Sequence, residues 1–136
     1  MLSKFFKTLF KSENLTFNLP DGIDGSEGQQ QVIQAFSKLG VDKRISRIVV
    51  YGNSGELKHY PLLKYTILYD ADVNVRFAAL KRIHLFKSHP DAITMLSDLK
   101  NKVNTNNLEP YYSMALSKMG IISLKELEEK LNNPNS

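Results

Sequence analysis

The sequence has 136 residues, with 18 Lys and Arg against 14 Asp and Glu, a net charge of +4, a hydrophobic fraction of 42% and no cysteine. That length suits a single domain, residues 1–136, able to bury a core without metal or disulfide staples. The missing thiols exclude cysteine nucleophiles, disulfide frameworks and cysteine-bound zinc, and they agree with a reducing, cytoplasmic setting. Lys4, Lys7 and Lys11 carry three of the four surplus charges ahead of the first acid, Glu13. The basic character therefore belongs to one end of the chain, whereas a duplex-binding protein spreads it as a stripe along the body.

Residues 1–12 are basic and amphipathic, with Leu2, Phe5, Phe6 and Leu9 on one helical face. Such a helix docks on the body of its domain or touches a membrane surface or a partner. Lysines interrupt every apolar run, so neither a secretory signal nor a membrane span is expected. Residues 14–25, with Pro20-Asp-Gly22, read as a loop. Ser26 and Gln29 form a capping-box pattern ahead of a helix with Val32, Ala35, Phe36 and Leu39 on one face and Gly40 at its end. Asp42 caps the next, with Ile45, Ile48 and Val49 as its stripe.

Residues 47–60 support two structures. The strand-forming Ile48-Val-Val-Tyr51 with Gly52-Asn-Ser-Gly55 would make a small β-hairpin, whereas the stripe also continues as a helix ending at Gly52, the preferred reading. Pro61 starts another helix, carrying Leu62, Leu63, Thr66, Ile67 and Tyr69. The most informative stretch follows. A short acidic turn, Asp70-Ala-Asp72, feeds a helix whose Val75, Ala79, Ile83 and Phe86 share one face of a 3.6-residue period. Ser88 to Asp91 begin a helix with Ala92, Met95, Leu96, Leu99 and Val103, and Asn104 to Asn107 break it. Pro110 opens a helix with Tyr112, Ala115, Leu116 and Met119 that stops at Gly120. Ser123 and Glu126 box the last one, with Leu124, Leu127 and Leu131. The helical body spans 26–131.

Three six-residue phrases match: Ala35-Phe-Ser-Lys-Leu-Gly40, Ala79-Leu-Lys-Arg-Ile-His84 and Ala115-Leu-Ser-Lys-Met-Gly120. Their spacings of about 44 and about 36 residues fall in the range of stacked helical hairpins. Residues Pro61 to Asp70, followed by Asp72-Val-Asn-Val-Arg76 and Ala79-Leu80, resemble a HEAT repeat, clearly over 61–86 and fairly over 89–120. The resemblance implies an all-α fold of stacked antiparallel helical pairs, an α-solenoid with a right-handed superhelix. It also implies that Asp70 and Arg76 are structural residues tying the turn and neighbouring repeats together. The third unit has Asn106 and Tyr112 at those places, so the polar tie should be missing there.

Catalytic and metal motifs fail on inspection. Asp70, Asp72 and Asn74 copy the opening of a calcium loop, but Val75 replaces its turn glycine and Lys81 its closing glutamate. His59, His84 and His89 lack the spacing of a helical metal site. Phosphate-cradling glycine motifs and Gly-x-Ser-x-Gly elbows are absent, and Glu126, Glu128 and Glu129 read as a solvated face. No catalytic residue, metal or cofactor is expected. Phe77, Lys81 and His84 lie opposite the apolar stripe of the central helix and, with Tyr112, are the candidate binding residues. Packing of Phe77 under the N-terminal helix or a loop is the alternative. The chain thus reads as a non-catalytic, HEAT-like protein-binding module, such as an accessory subunit or an inhibitor or immunity-type protein. The other reading is a nucleic-acid backbone binder using Arg44, Arg47, Lys58, Lys81 and Arg82 with the basic end.

Overall fold

Glycines, asparagines and an aspartate divide the chain into short helices in the computed structural model, which describes residues 19–20, 22–23 and 27–132; Asp42, expected as a cap, instead lies in the first turn of its helix, whose N-cap is Gly40 with no side-chain bond. The helices are α1 (Glu27–Ser37), α2 (Val41–Ser54), α3 (Tyr60–Tyr69), α4 (Val73–Leu80), α5 (Ala92–Ser97), α6 (Tyr111–Lys118) and α7 (Leu124–Asn132). Single 3-10 turns lie at Leu57–His59, Ile83–Phe86, Leu99–Asn101 and Thr105–Leu108. Among the described residues the fold is all-α, with no strand. The amphipathic segment 1–12 and the Ser26 cap lie outside the described residues.

The β-hairpin that residues 47–60 allowed does not form. α2 runs two residues past Gly52 and ends at Gly55, whose φ of 64° and N–H bond to the Gly52 carbonyl, 3.2 Å, close the helix. Burial decides the matter: Ile48 and Gly52, one helical turn apart, both face the interior. At Gly52 the backbone comes so close to α4's end that an added Cβ would lie 2.7 Å from Arg82 Cδ. A strand would turn Val50 to the same side as Ile48 and Gly52, yet Val50 is 64% exposed, as a helix requires.

α4 is the hub, packing against α2, α3 and α6, while α1 lies on α3 and α7 on α6. Its start is set by Asp72, whose Oδ1 accepts the Asn74 and Val75 N–H groups at 2.8 and 3.3 Å. Val75, Ala79, Ile83 and Phe86 are all fully buried, as their spacing predicts. They do not share one continuous helix, however. α4 stops at Leu80 because the Arg82 guanidinium donates to the Ala78 carbonyl at 2.9 Å, taking the acceptor that the next helical N–H would use. The Arg82 N–H bonds Ala79 instead, 3.0 Å, and the chain tightens into a 3-10 turn. Residues 92–103 break likewise, at Asp98, where Oδ1 accepts the Asn101 side chain at 2.6 Å. Met95, Leu96 and Leu99 nonetheless all reach the core. Each such fully buried aliphatic side chain contributes roughly 1.5–3 kcal/mol relative to exposure.

Two expected stripes reach the core only in part or not at all. On α1 the buried residues are Ile33 and Phe36, whereas Val32 and Ala35 are exposed. α1 packs chiefly on α3, and Val32, Ala35 and Leu39 line an open cleft of about 240 Å³ shared with Arg47 and Tyr51 of α2. On α7 the Ser123–Glu126 box forms, with the Glu126 N–H 3.1 Å from Ser123 Oγ, but Leu124 is 72% exposed and no residue of the helix is buried. The three alanine phrases are not equivalent either. α4 and α6, bearing the second and third, pack together, while α1, bearing the first, packs on α3.

Candidate functional site

Among the described residues, the turn before α4 holds the most enclosed charge pair. Arg44, in the first turn of α2, places Nε 3.0 Å from Asp70 Oδ2 and Nη2 3.2 Å from Oδ1, and its Nη1 donates to the Leu39 carbonyl at 2.6 Å. The Asp70 carboxylate, whose side chain is 3% exposed, also accepts the Asp72 N–H at 2.9 Å. One guanidinium thus joins the α1–α2 turn to the α3–α4 turn, and a bidentate, largely desolvated pair of this kind fixes geometry as well as adding energy.

Arg76 does not share this role, which corrects the expectation that it ties neighbouring units. Its Nε donates to the Ile67 carbonyl at 2.8 Å, joining α4 to α3 within one helical pair, and its buried Nη2 has no hydrogen-bond partner. Burial lowers its pKa, and the nearby Asp70 charge offsets part of that shift. The sequence could not choose between the arginines: Arg76 is six residues from Asp70, whereas Arg44 is 26 residues away. Asp70 and Asp72 are both engaged in these bonds, as a turn and a cap. In the third unit, Asn106 donates its backbone N–H to Asn104 Oδ1 at 3.1 Å and makes no comparable tie.

Phe77 and Lys81 do come together, with a partner that the candidate set left out. Both lean on Tyr111 at the start of α6: the Phe77 and Tyr111 ring centroids are 4.6 Å apart, tilted by 48°, and Lys81 Nζ lies 4.6 Å from the Tyr111 centroid. The spacing explains the meeting, since Phe77 and Lys81 are four residues apart on one helical face. Only the α4–α6 contact could add Tyr111. Phe77 and Tyr111 are partly buried and Lys81 is exposed, so an aromatic pair with a cation at its rim faces outward at this seam. His84 continues the same line, its Nδ1 enclosed and making no well-formed hydrogen bond. Burial first, and then the Lys118 charge from α6, lowers its pKa below the ordinary 6.5. Tyr112 is not part of this seam. It is buried beside Leu116 and Ile121 in a separate cleft near α7.

A third polar cluster has no counterpart in the sequence reading. Tyr60 Oη and Lys64 Nζ both donate to Asp91 Oδ2, at 2.7 and 2.6 Å, and the Tyr60 ring stacks on His89 at 3.9 Å. Burial alone would raise the Asp91 carboxyl, but the bonds from Lys64 and Tyr60 hold it below the usual carboxylate value. Burial and the Asp91 bond push the Tyr60 hydroxyl far above the usual tyrosine value. The cluster pins α3 to the start of α5. Lys64 at one turn from Tyr60, with Asp91 just after Pro90, was the available signal.

The cations of the nucleic-acid reading are unevenly placed. Arg44 is bound to Asp70, Arg82 donates to Asn53 Oδ1 at 3.0 Å and to Ala78, and Lys58 pairs with Glu56 at 3.0 Å on the surface. His59 stacks on Tyr51 at 4.4 Å. Among the described residues no three His, Asp or Glu side chains converge as a metal site would require, and no helix is long and apolar enough to cross a membrane. No family model matches the sequence, and neither the curated proteins nor the solved structures include a significant match to it.

Proposed function

We propose that this chain is a non-catalytic protein-binding module, and that its contact surface centres on Phe77, Tyr111 and Lys81. The observation that carries the reading is the aromatic pair held half-open at the α4–α6 seam under a lysine. Interface hot spots favour this composition, because aromatic rings offer large rigid contact area and a cation at the rim adds specificity. Three helix pairs two places apart, α1 with α3, α2 with α4 and α4 with α6, are in keeping with a HEAT-like stack of hairpins, in which such pairs recur. Arg44 bridging one hairpin's turn to the next is in keeping with such a stack.

Backbone binding to nucleic acid is less well supported, because Arg44 and Arg82 are committed to intramolecular acceptors. The two readings differ in salt response. Capture from the native cell extract is run at low and high salt with nuclease treatment, using the wild type, Phe77→Ala and Lys81→Glu. A discrete protein that survives high salt and nuclease, and is lost in both variants while each stays folded, supports the module. Nuclease-sensitive, salt-labile material retained by Phe77→Ala refutes it.

A further inference from the structure

The seam between α4 and α6 carries charge of one sign. Residues 73–90, covering α4 and the 3-10 turn that follows it, contain Arg76, Lys81, Arg82 and Lys87 and no Asp or Glu. Residues 110–123, covering α6 and the turn after it, contain Lys118 and likewise no acid. The two arginines are committed within the fold, Arg76 to the Ile67 carbonyl and Arg82 to Asn53 and Ala78. The three lysines are exposed, and none is ion-paired with a described residue. Packing gathers them around the aromatic pair. Lys81 Nζ lies 4.6 Å from the Tyr111 ring centroid. Lys118 is near enough to His84 for its charge to act on that imidazole. Lys87 Nζ reaches across to the end of α6, 3.5 Å from where a Cβ on Gly120 would stand.

Like charges gathered without counter-charges repel one another, and a partner that brings carboxylates relieves the repulsion and is steered to the surface by it. We propose, resting on the protein-binding reading of this seam, that the partner docking there is an acidic protein segment. An apolar side chain of that segment lies on Phe77 and Tyr111, and flanking Asp or Glu residues meet Lys81, Lys87 and Lys118. The ring contact holds the partner, while the lysines speed encounter and select for acidic sequences. A nucleic-acid strand suits the surface less well. Phe77 and Tyr111 are partly buried, and the Tyr111 ring is already flanked by Phe77 and Lys81, which leaves little open face for a base to stack on. Neither arginine is free to grip a phosphate with its fork of donors.

Selection of a random peptide library against the full chain, with a no-protein control, tests this, the enriched peptides and oligothymidylate then being titrated by fluorescence anisotropy. Enriched peptides should carry an aromatic or aliphatic residue flanked by Asp or Glu. Lys81→Glu/Lys118→Glu should weaken them by about tenfold or more, and replacing the peptide acids by Asn and Gln should do the same on the unaltered protein. Added salt should slow association several-fold and leave dissociation nearly unchanged. Enrichment of neutral or basic peptides that still require Phe77 overturns the acidic partner and leaves the binding module standing. No enrichment above the control, or enrichment indifferent to Phe77→Ala, overturns both. Salt-labile binding of oligothymidylate tighter than that of any selected peptide overturns the proposal in favour of a nucleic-acid backbone.

Discussion

α4 and α7 begin alike and end up in opposite environments. Both are short, both open on a side chain that accepts a backbone N–H, Asp72 in one and Ser123 in the other, and both carry an apolar stripe. α4 buries Val75, Ala78, Ala79 and Leu80, whereas α7 buries nothing. The difference lies in neighbours. α4 is enclosed by α2, α3 and α6, while α7 packs chiefly on α6. Caps and periodicity specify that a helix forms and which side is apolar; the number of elements that can reach that side decides what it contributes to stability.

The largest expected effect is on the polar tie at the start of α4. Asp70→Ala strands the Arg44 guanidinium in a desolvated site and should destabilise the domain by about 3–5 kcal/mol. Ser123→Ala at the exposed start of α7 should cost about 0.5 kcal/mol. Urea denaturation of both variants checks this, and comparable losses would break the contrast between hub and end.

Next come the apolar residues. Ile83→Ala should cost about 3 kcal/mol through its cavity, and Leu131→Ala less than about 0.5 kcal/mol, read from the same denaturation curves. A large loss for Leu131 would mean that α7 is covered in solution. Within α4 itself, Arg76→Ala should lower stability by about 1.5 kcal/mol through the lost bond to the Ile67 carbonyl. Lys81→Ala should lower it by about 0.5 kcal/mol. Equal melting temperatures for these two would count against Arg76 as a tie between α3 and α4.

The smallest effect depends on pH. His84 titrates below the ordinary 6.5 in the folded protein, through burial and then the Lys118 charge, so the unfolded chain binds this proton more tightly. Its contribution is complete above about pH 6.5 and is lost as pH falls below that value. His59 shifts in the same direction, through burial and then Lys58. Melting temperature should therefore drop on acidification from pH 7 to 5, and His84→Gln should flatten part of the slope. A variant profile parallel to the wild type would show that His84 is not a source of the slope.

Much of the architecture was legible in the sequence because it depends on groups a few residues apart. The Asp72 cap, the Ser123–Glu126 box, the stop at Gly120 and the buried set Val75, Ala79, Ile83 and Phe86 all follow from local hydrogen bonding and helical period. Phe77 and Lys81 were legible as neighbours for the same reason. Other features required partners that the chain brings from far away. Only the packed structure could pair Asp70 with Arg44 in place of Arg76, set Tyr111 beneath Lys81, move Tyr112 to another cleft, and end α4 where the Arg82 guanidinium takes the Ala78 carbonyl. Helices and their apolar faces are properties of a chain segment, but burial and charge pairing belong to the space between segments, and only the tertiary structure decides what fills it.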